Sequence, residues 1–320
     1  MMHRHRSLGS SRAALLVPGS VLILGALLAG CASTGSKQST TTDVPEADRL
    51  QAETNRENAS RGKLLAELDD AITAWNNLKL TGTSEEDQRR TDALALQIGY
   101  RARRRFNEII DELQTGPPAN RIVSAVALGF TGAKEALPPL VAALDDPDER
   151  VEINALIGLG VLADPATPVE LLCERVRFDD SDLVRVQALY ALNRIVRSGG
   201  GGPCVLETAR EGLVDLDPGI QTQAALLVGE LRDGESLDSL THLLSSDTPL
   251  LVHAAARSIT YLGDLDPHLK GPAARGLAGA LDLPGNRSAR ELLIRHLMML
   301  SKRNLGDETR DWVEWAAELP

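Results

Sequence analysis

The sequence predicts an all-α chain, an α-solenoid in which helix pairs stack side by side. Two observations carry this prediction. A helical apolar pattern recurs between residues 119 and 303, plainest as Val184-Arg185-Val186-Gln187-Ala188-Leu189-Tyr190-Ala191-Leu192-Asn193-Arg194-Ile195. A second apolar stripe follows each copy. Related copies start at Val151, Ile220 and Leu251, with a shorter one at Ser124–Gly129 and a degenerate one near Leu293–Leu300.

Aligning Ala155, Ala188, Ala224 and Ala255 exposes the period. Four positions upstream stand Val151, Val184, Ile220 and Leu251; four downstream stand Leu159, Leu192, Val228 and Ile259. Such offsets trace one face of a helix of 3.6 residues per turn. The small residue in the middle of that face lets a neighbouring helix approach closely. The second helices carry stripes such as Leu137, Leu140, Leu144 and Leu237, Leu240, Leu244. Pro138, Pro168, Pro203 and Pro272 sit near their expected starts, where a missing N–H costs little. The period is roughly 31 to 38 residues, giving about five repeats. One pair cannot bury its own apolar face, so neighbours must stack.

This pattern resembles the HEAT superfamily, especially the short bacterial repeats first named after phycobilisome lyases. The residues that carry the resemblance are Asp145-Asp146-Pro147, the Val-x-x-x-Ala-Leu-x-x-Leu of Val184 to Leu192, and the Leu-Gly-x-Leu of Leu159 to Leu162. The resemblance implies a scaffold or binding module, and it specifies a fold far better than an activity.

Residues 1–30 have the three parts of a secretory signal: Arg4, Arg6 and Arg12, then an apolar run from Ala13 to Leu28, then Leu28-Ala29-Gly30-Cys31. The run is short for an uncleaved membrane span. Small residues before a cysteine resemble the bacterial lipobox, which implies a lipid on Cys31 and a membrane-anchored mature chain. Ala32 then suggests the outer membrane, facing the periplasm, where the source has two membranes. Residues 31–62 read as a flexible tether, rich in Ser, Thr and Gln as far as Thr42; residues 44–62, highly charged with few apolar residues, read as linker or a loose helix.

Residues 63–118 read as a helical hairpin that shields the first repeat, as a terminal unit of a solenoid must. Leu64, Leu68, Ile72 and Trp75 recur at helical spacing, and Thr83 with Glu86 suggests a capping box. Arg101, Arg103, Arg104 and Arg105 form the dense basic run of the mature chain. A lipid-phosphate contact is one reading; a solvated face paired with Glu67, Asp69 and Asp70 is the blander and preferred one. Gly199–Gly202 reads as a mobile loop. Residues 304–320 read as a capping helix around Trp312 and Trp315.

The formal net charge is −11, and an acidic exported chain is a poor candidate for nucleic acid. No His-Glu-x-x-His, Cys-x-x-Cys, Gly-Lys-Ser/Thr loop or Gly-x-Ser-x-Gly elbow is present. No cofactor, metal or enzymatic activity is therefore expected. The acids at Asp145, Asp146, Asp148, Asp179, Asp180, Asp182, Asp215 and Asp217 read as helix N-caps. Cys173 and Cys204 fall about two turns out of register, roughly 9 Å along the axis. That separation argues against a bond, although export permits one.

The expected function is an envelope scaffold or adaptor that binds a protein partner. The alternative is an envelope enzyme, or enzyme subunit, using acids in the groove. Rows outside the apolar stripe are polar and mixed in charge. Gln187, Arg194, Gln223 and Tyr261 are the candidate binding residues, because Arg and Tyr are favoured anchors at interfaces.

Overall fold

The computed structural model describes residues 46–82 and 84–320. The signal segment, Cys31, the tether as far as Pro45, and Thr83 lie outside the described residues. By its contacts the chain divides into Met1–Leu50 and Gln51–Pro320. Of the first unit, only the opening residues of one helix are described.

All regular structure among the described residues is helical. Three helices come first: α1 (Glu46–Thr81), α2 (Glu85–Arg104) and α3 (Phe106–Thr115). Helix α1 begins at Glu46, so the tether expected through residue 62 is helical over its described part. Ala, Glu, Gln and Arg predominate there, and they favour helix without needing burial. The second arm of the expected hairpin is broken at Arg105, whose backbone leaves the helical region, so it forms two helices. Its guanidinium then pairs with Glu108 and reaches the Ser60 hydroxyl at 3.0 Å. The described capping box falls one residue later than expected: Ser84 accepts from the Asp87 N–H, and the Asp87 carboxylate accepts from the Ser84 N–H.

The repeats follow as paired helices. The first helices are α4 (Pro118–Gly129), α6 (Glu149–Leu162), α8 (Asp182–Arg197), α10 (Pro218–Glu230), α12 (Pro249–Leu265) and α14 (Arg290–Ser301). The second helices are α5 (Leu137–Ala142), α7 (Val169–Phe178), α9 (Pro203–Gly212), α11 (Leu237–Leu243), α13 (Pro267–Gly279) and α15 (Thr309–Ala317). Each first helix packs on the next first helix, so these form one continuous row. The second helices line the other side, where α7 packs on α9, α11 on α13 and α13 on α15. The fold is an all-α solenoid.

Packing along the first row depends on small residues. Ala155, Ala188, Ala224 and Ala255 are fully buried. Helices α4 and α6 approach until backbone meets backbone at Gly129 and Gly158; a Cβ on Gly158 would collide with the Ala125 carbonyl. Helices α10 and α12 meet at Gly229 and Ser258, whose hydroxyl donates to the Ala225 carbonyl at 2.7 Å.

The acids between helices serve as caps and turns. Asp148 accepts from the Arg150 N–H at 3.0 Å, and Asp217 from Gly219 and Ile220 at 2.8 and 2.9 Å. Asp146, Asp179 and Asp215 each accept from the N–H two residues on, forming Asx-turns. Arg121 then clamps Asp146 through two bonds of 2.8 Å, and Arg185 pairs with Asp215, tying successive repeats together. Such paired, fork-shaped contacts are geometrically specific.

Three expectations need correction. Gly199 has φ +91° and Gly200 donates to the Ile195 carbonyl, so the first two of the four glycines form a Schellman cap that ends α8, and Gly202 precedes α9. Pro272 lies inside α13, because Asp266 and Pro267 start that helix earlier. Cys173 and Cys204 form a disulfide with 6.4 Å between their Cα atoms. Helices α7 and α9 are offset along their axes, so that Cys204 in the first turn of α9 comes level with Cys173 in the middle of α7.

Candidate functional site

The first helices pack on one another through their small residues, and α8, α10, α12 and α14 together enclose a half-open groove of about 400 Å³. Leu226 and Met299 supply apolar walls, Gly229 and Ser258 lie between the helices, and Arg197, Glu230, Arg257 and Tyr261 supply the polar rim. Tyr261 and Met299 are both exposed. Glu230 sits 3.4 Å from Arg197 and 3.4 Å from Arg257, so two guanidiniums face one carboxylate.

His296 lies at the groove and is almost fully buried. The Thr260 hydroxyl donates to the Ala256 carbonyl at 2.7 Å, as a helical threonine does. Its single proton is thereby used. The 3.1 Å contact between Thr260 and His296 Nδ1 must therefore run from the imidazole N–H to the hydroxyl. The neutral ring keeps its lone pair on Nε2. Burial pushes His296 down to about 4, helped by His253, Arg295 and Arg257. His253, whose ring centroid is 5.8 Å away, is lowered by partial burial and by Arg257 and Arg295.

A pH dependence follows from His296. Below about 6.5 the unfolded histidine binds a proton that the folded one refuses until about 4. Stability should therefore fall as pH drops through that window, by about 2 kcal/mol between pH 7 and 4.5. Urea midpoints at the two pH values should show the loss in the wild type and much less in His296→Gln. Equal losses in both proteins would assign the effect to other groups.

The four expected binding residues do not converge. Tyr261 lines the groove. Arg194 donates to the Gly160 carbonyl at 3.3 Å and so braces α8 against α6. Gln187 and Gln223 are half-buried on α8 and α10, outside the groove lining. Sequence reasoning missed Arg197, Arg257, His296 and Met299. Arg257 belongs to the row two residues after the buried alanine, with Ile157, Tyr190 and Leu226. That row faces away from the packed stripe on a helical projection and could have been found.

The basic run at Arg101–Arg105 is largely engaged within the protein. Arg101 pairs with Glu67 at 3.0 Å, Arg103 donates to the Thr131 carbonyl, and Arg104 lies 5.8 Å over the Tyr100 ring. A second cleft, of about 420 Å³, lies at the α1–α2 turn beside the Ser84–Asp87 capping pair, whose polar groups already satisfy each other. Among the described residues no cluster of three or more His, Cys, Asp or Glu side chains is arranged to hold a metal. Among them, too, no helix is long and apolar enough to cross a membrane.

The class these features define is an α-solenoid of stacked helix pairs with an open groove on its first-helix row. Residues 106–193 match the family model for HEAT repeats. Among solved structures, a designed armadillo repeat protein is 17% identical, with 60% of this chain and 98% of that chain covered and a TM-score of 0.45. The complex of CpcE and CpcF of phycocyanin lyase from Nostoc sp. PCC7120 is 18% identical, covering 78% and 94%, with a TM-score of 0.41. Human deoxyhypusine hydroxylase is 20% identical, covering 79% and 99%, with a TM-score of 0.36. No curated protein matches the chain.

Proposed function

We propose that this chain is a lipid-anchored adaptor of the cell envelope, not an enzyme, and that it holds a protein partner in the groove over α8, α10, α12 and α14. The observation that carries the reading is the groove itself. It joins exposed Tyr261 and Met299 to the guanidiniums of Arg197 and Arg257. Aromatic, Met and Arg side chains are the types enriched at interfaces. An enzyme built on groove acids has less support, because Glu230 is the one carboxylate in the lining and two arginines already hold it. The Cys173–Cys204 disulfide supports an oxidising compartment, as does the signal architecture ending at Cys31.

One crosslinking and fractionation experiment in intact cells tests both halves. Wild-type protein should appear in membranes with a crosslinked partner. Cys31→Ala should leave the membrane fraction or remain unprocessed. Arg257→Ala with Tyr261→Ala should stay in membranes and keep its melting temperature, while capture falls by about tenfold or more. A correctly cleaved Cys31→Ala protein still bound to membranes would contradict the anchor. Undiminished capture by the double variant would contradict the groove.

A further inference from the structure

Four of the five connections from second to first helices repeat one design, and the middle two of these depart from it in their flanking residues. In each of the four, an Asp or Ser side chain accepts from the N–H two residues on and turns the chain: Asp146, Asp179, Asp215 and Ser246. The residues just before these are Asp145, Phe178, Val214 and Ser245; those just after are Pro147, Asp180, Leu216 and Asp247. In the outer two loops both positions avoid large apolar side chains. In the middle two they carry Phe178, Val214 and Leu216, which are 79%, 75% and 99% exposed. Leu183, at the start of α8, adds a fourth apolar side chain at 53% exposure.

The fold brings these side chains to one edge. Arg185 donates to the Val176 carbonyl at 2.9 Å and pairs with Asp215, joining the two loops. Arg177 joins them again through Glu211 at 2.7 Å. Single exposed leucines are ordinary, but four large exposed apolar side chains at two neighbouring connections are not. The loops are held by their Asx-turns, so the apolar side chains stand on a fixed frame.

The charge around the patch is acidic on balance: six acids, Asp179, Asp180, Asp182, Asp215, Asp217 and Glu211, stand near it in the chain against two arginines, with Arg177 paired to Glu211 and Arg185 to Asp215. Successive repeats stand about 10 Å apart, close to two turns of an α-helix, about 11 Å. We propose that this edge is a second docking surface, separate from the groove, and that its occupant is a cationic amphipathic helix of a partner protein. Apolar side chains two turns apart would rest on Phe178 and on Val214 with Leu216, while Lys or Arg on the flanks meet the acids. An anionic bilayer is disfavoured by the same acids.

The test uses the full chain and a fluorescently labelled model helix with Leu on one face and Lys on the other. Anisotropy should report saturable binding that weakens as salt rises. An analogue with Glu for every Lys should fail to bind. Phe178→Ser with Leu216→Ser should keep the melting temperature and weaken binding by about tenfold or more. Leu96→Ser, which removes an exposed leucine on α2, outside the repeats, should bind like wild type. Equal binding of the Lys and Glu helices, or unchanged binding by the double serine variant, would overturn the proposal. So would dimerisation in sedimentation that the double variant abolishes, since the patch would then belong to a second copy, or binding of the chain to anionic vesicles that the variant removes.

Discussion

Valine at position 158 should dismantle the junction between the first two repeats. Helices α4 and α6 cross there with backbone against backbone, and even one added carbon meets the Ala125 carbonyl and lies 3.0 Å from Leu140 Cδ2. The carbonyl belongs to a helix and cannot swing aside like a side chain. Overpacking of this kind costs about 3 kcal/mol or more. In a stacked array each repeat depends on its neighbour, so the loss should spread to α4, α5 and the helices before them. Gly62 supplies the contrast: it lies in α1 with nothing near its missing Cβ. Gly62→Ala should raise stability by up to about 1 kcal/mol. Denaturant midpoints decide, and a Gly158→Val protein that melts like wild type would show the helix row packed in another register.

Alanine at both Cys173 and Cys204 should lower stability by about 3–4 kcal/mol, by the loop-closure entropy restored to the unfolded chain. The bridge spans a sequence separation of 31 and fastens α7 to α9, outside the tightly packed first row. Reductant should shift the wild-type midpoint to that of the double variant and leave the variant unchanged. A wild-type midpoint indifferent to reductant would mean that the two sulfurs are not joined.

The repeat was legible because helical periodicity is a local signal. Val184, Ala188, Leu192 and Ile195 mark the buried face of α8 by spacing alone, and all four are fully buried. The disulfide was not legible, because it depends on how far α9 is displaced along its axis. Helix α8 ends in a Schellman cap at Gly199–Gly200 before α9 begins, whereas a run of glycines in a sequence looks like a mobile loop. The groove was legible in part. Tyr261 could be placed on an open helix face, but a helical projection does not show which open positions meet across four neighbouring helices. Arg194 was misjudged for that reason: its guanidinium turns to the Gly160 carbonyl of the preceding repeat. His296 lay beyond reach, since its burial and tautomer depend on Thr260 of another helix.

The most direct test of the adaptor reading is site-specific photocrosslinking in intact cells. A photoreactive amino acid in place of Tyr261, in the groove, should yield an adduct with one discrete protein partner. The same group in place of Ser239, exposed on α11 in the other helix row, should yield none. Adducts from position 239 with none from position 261 would contradict the account.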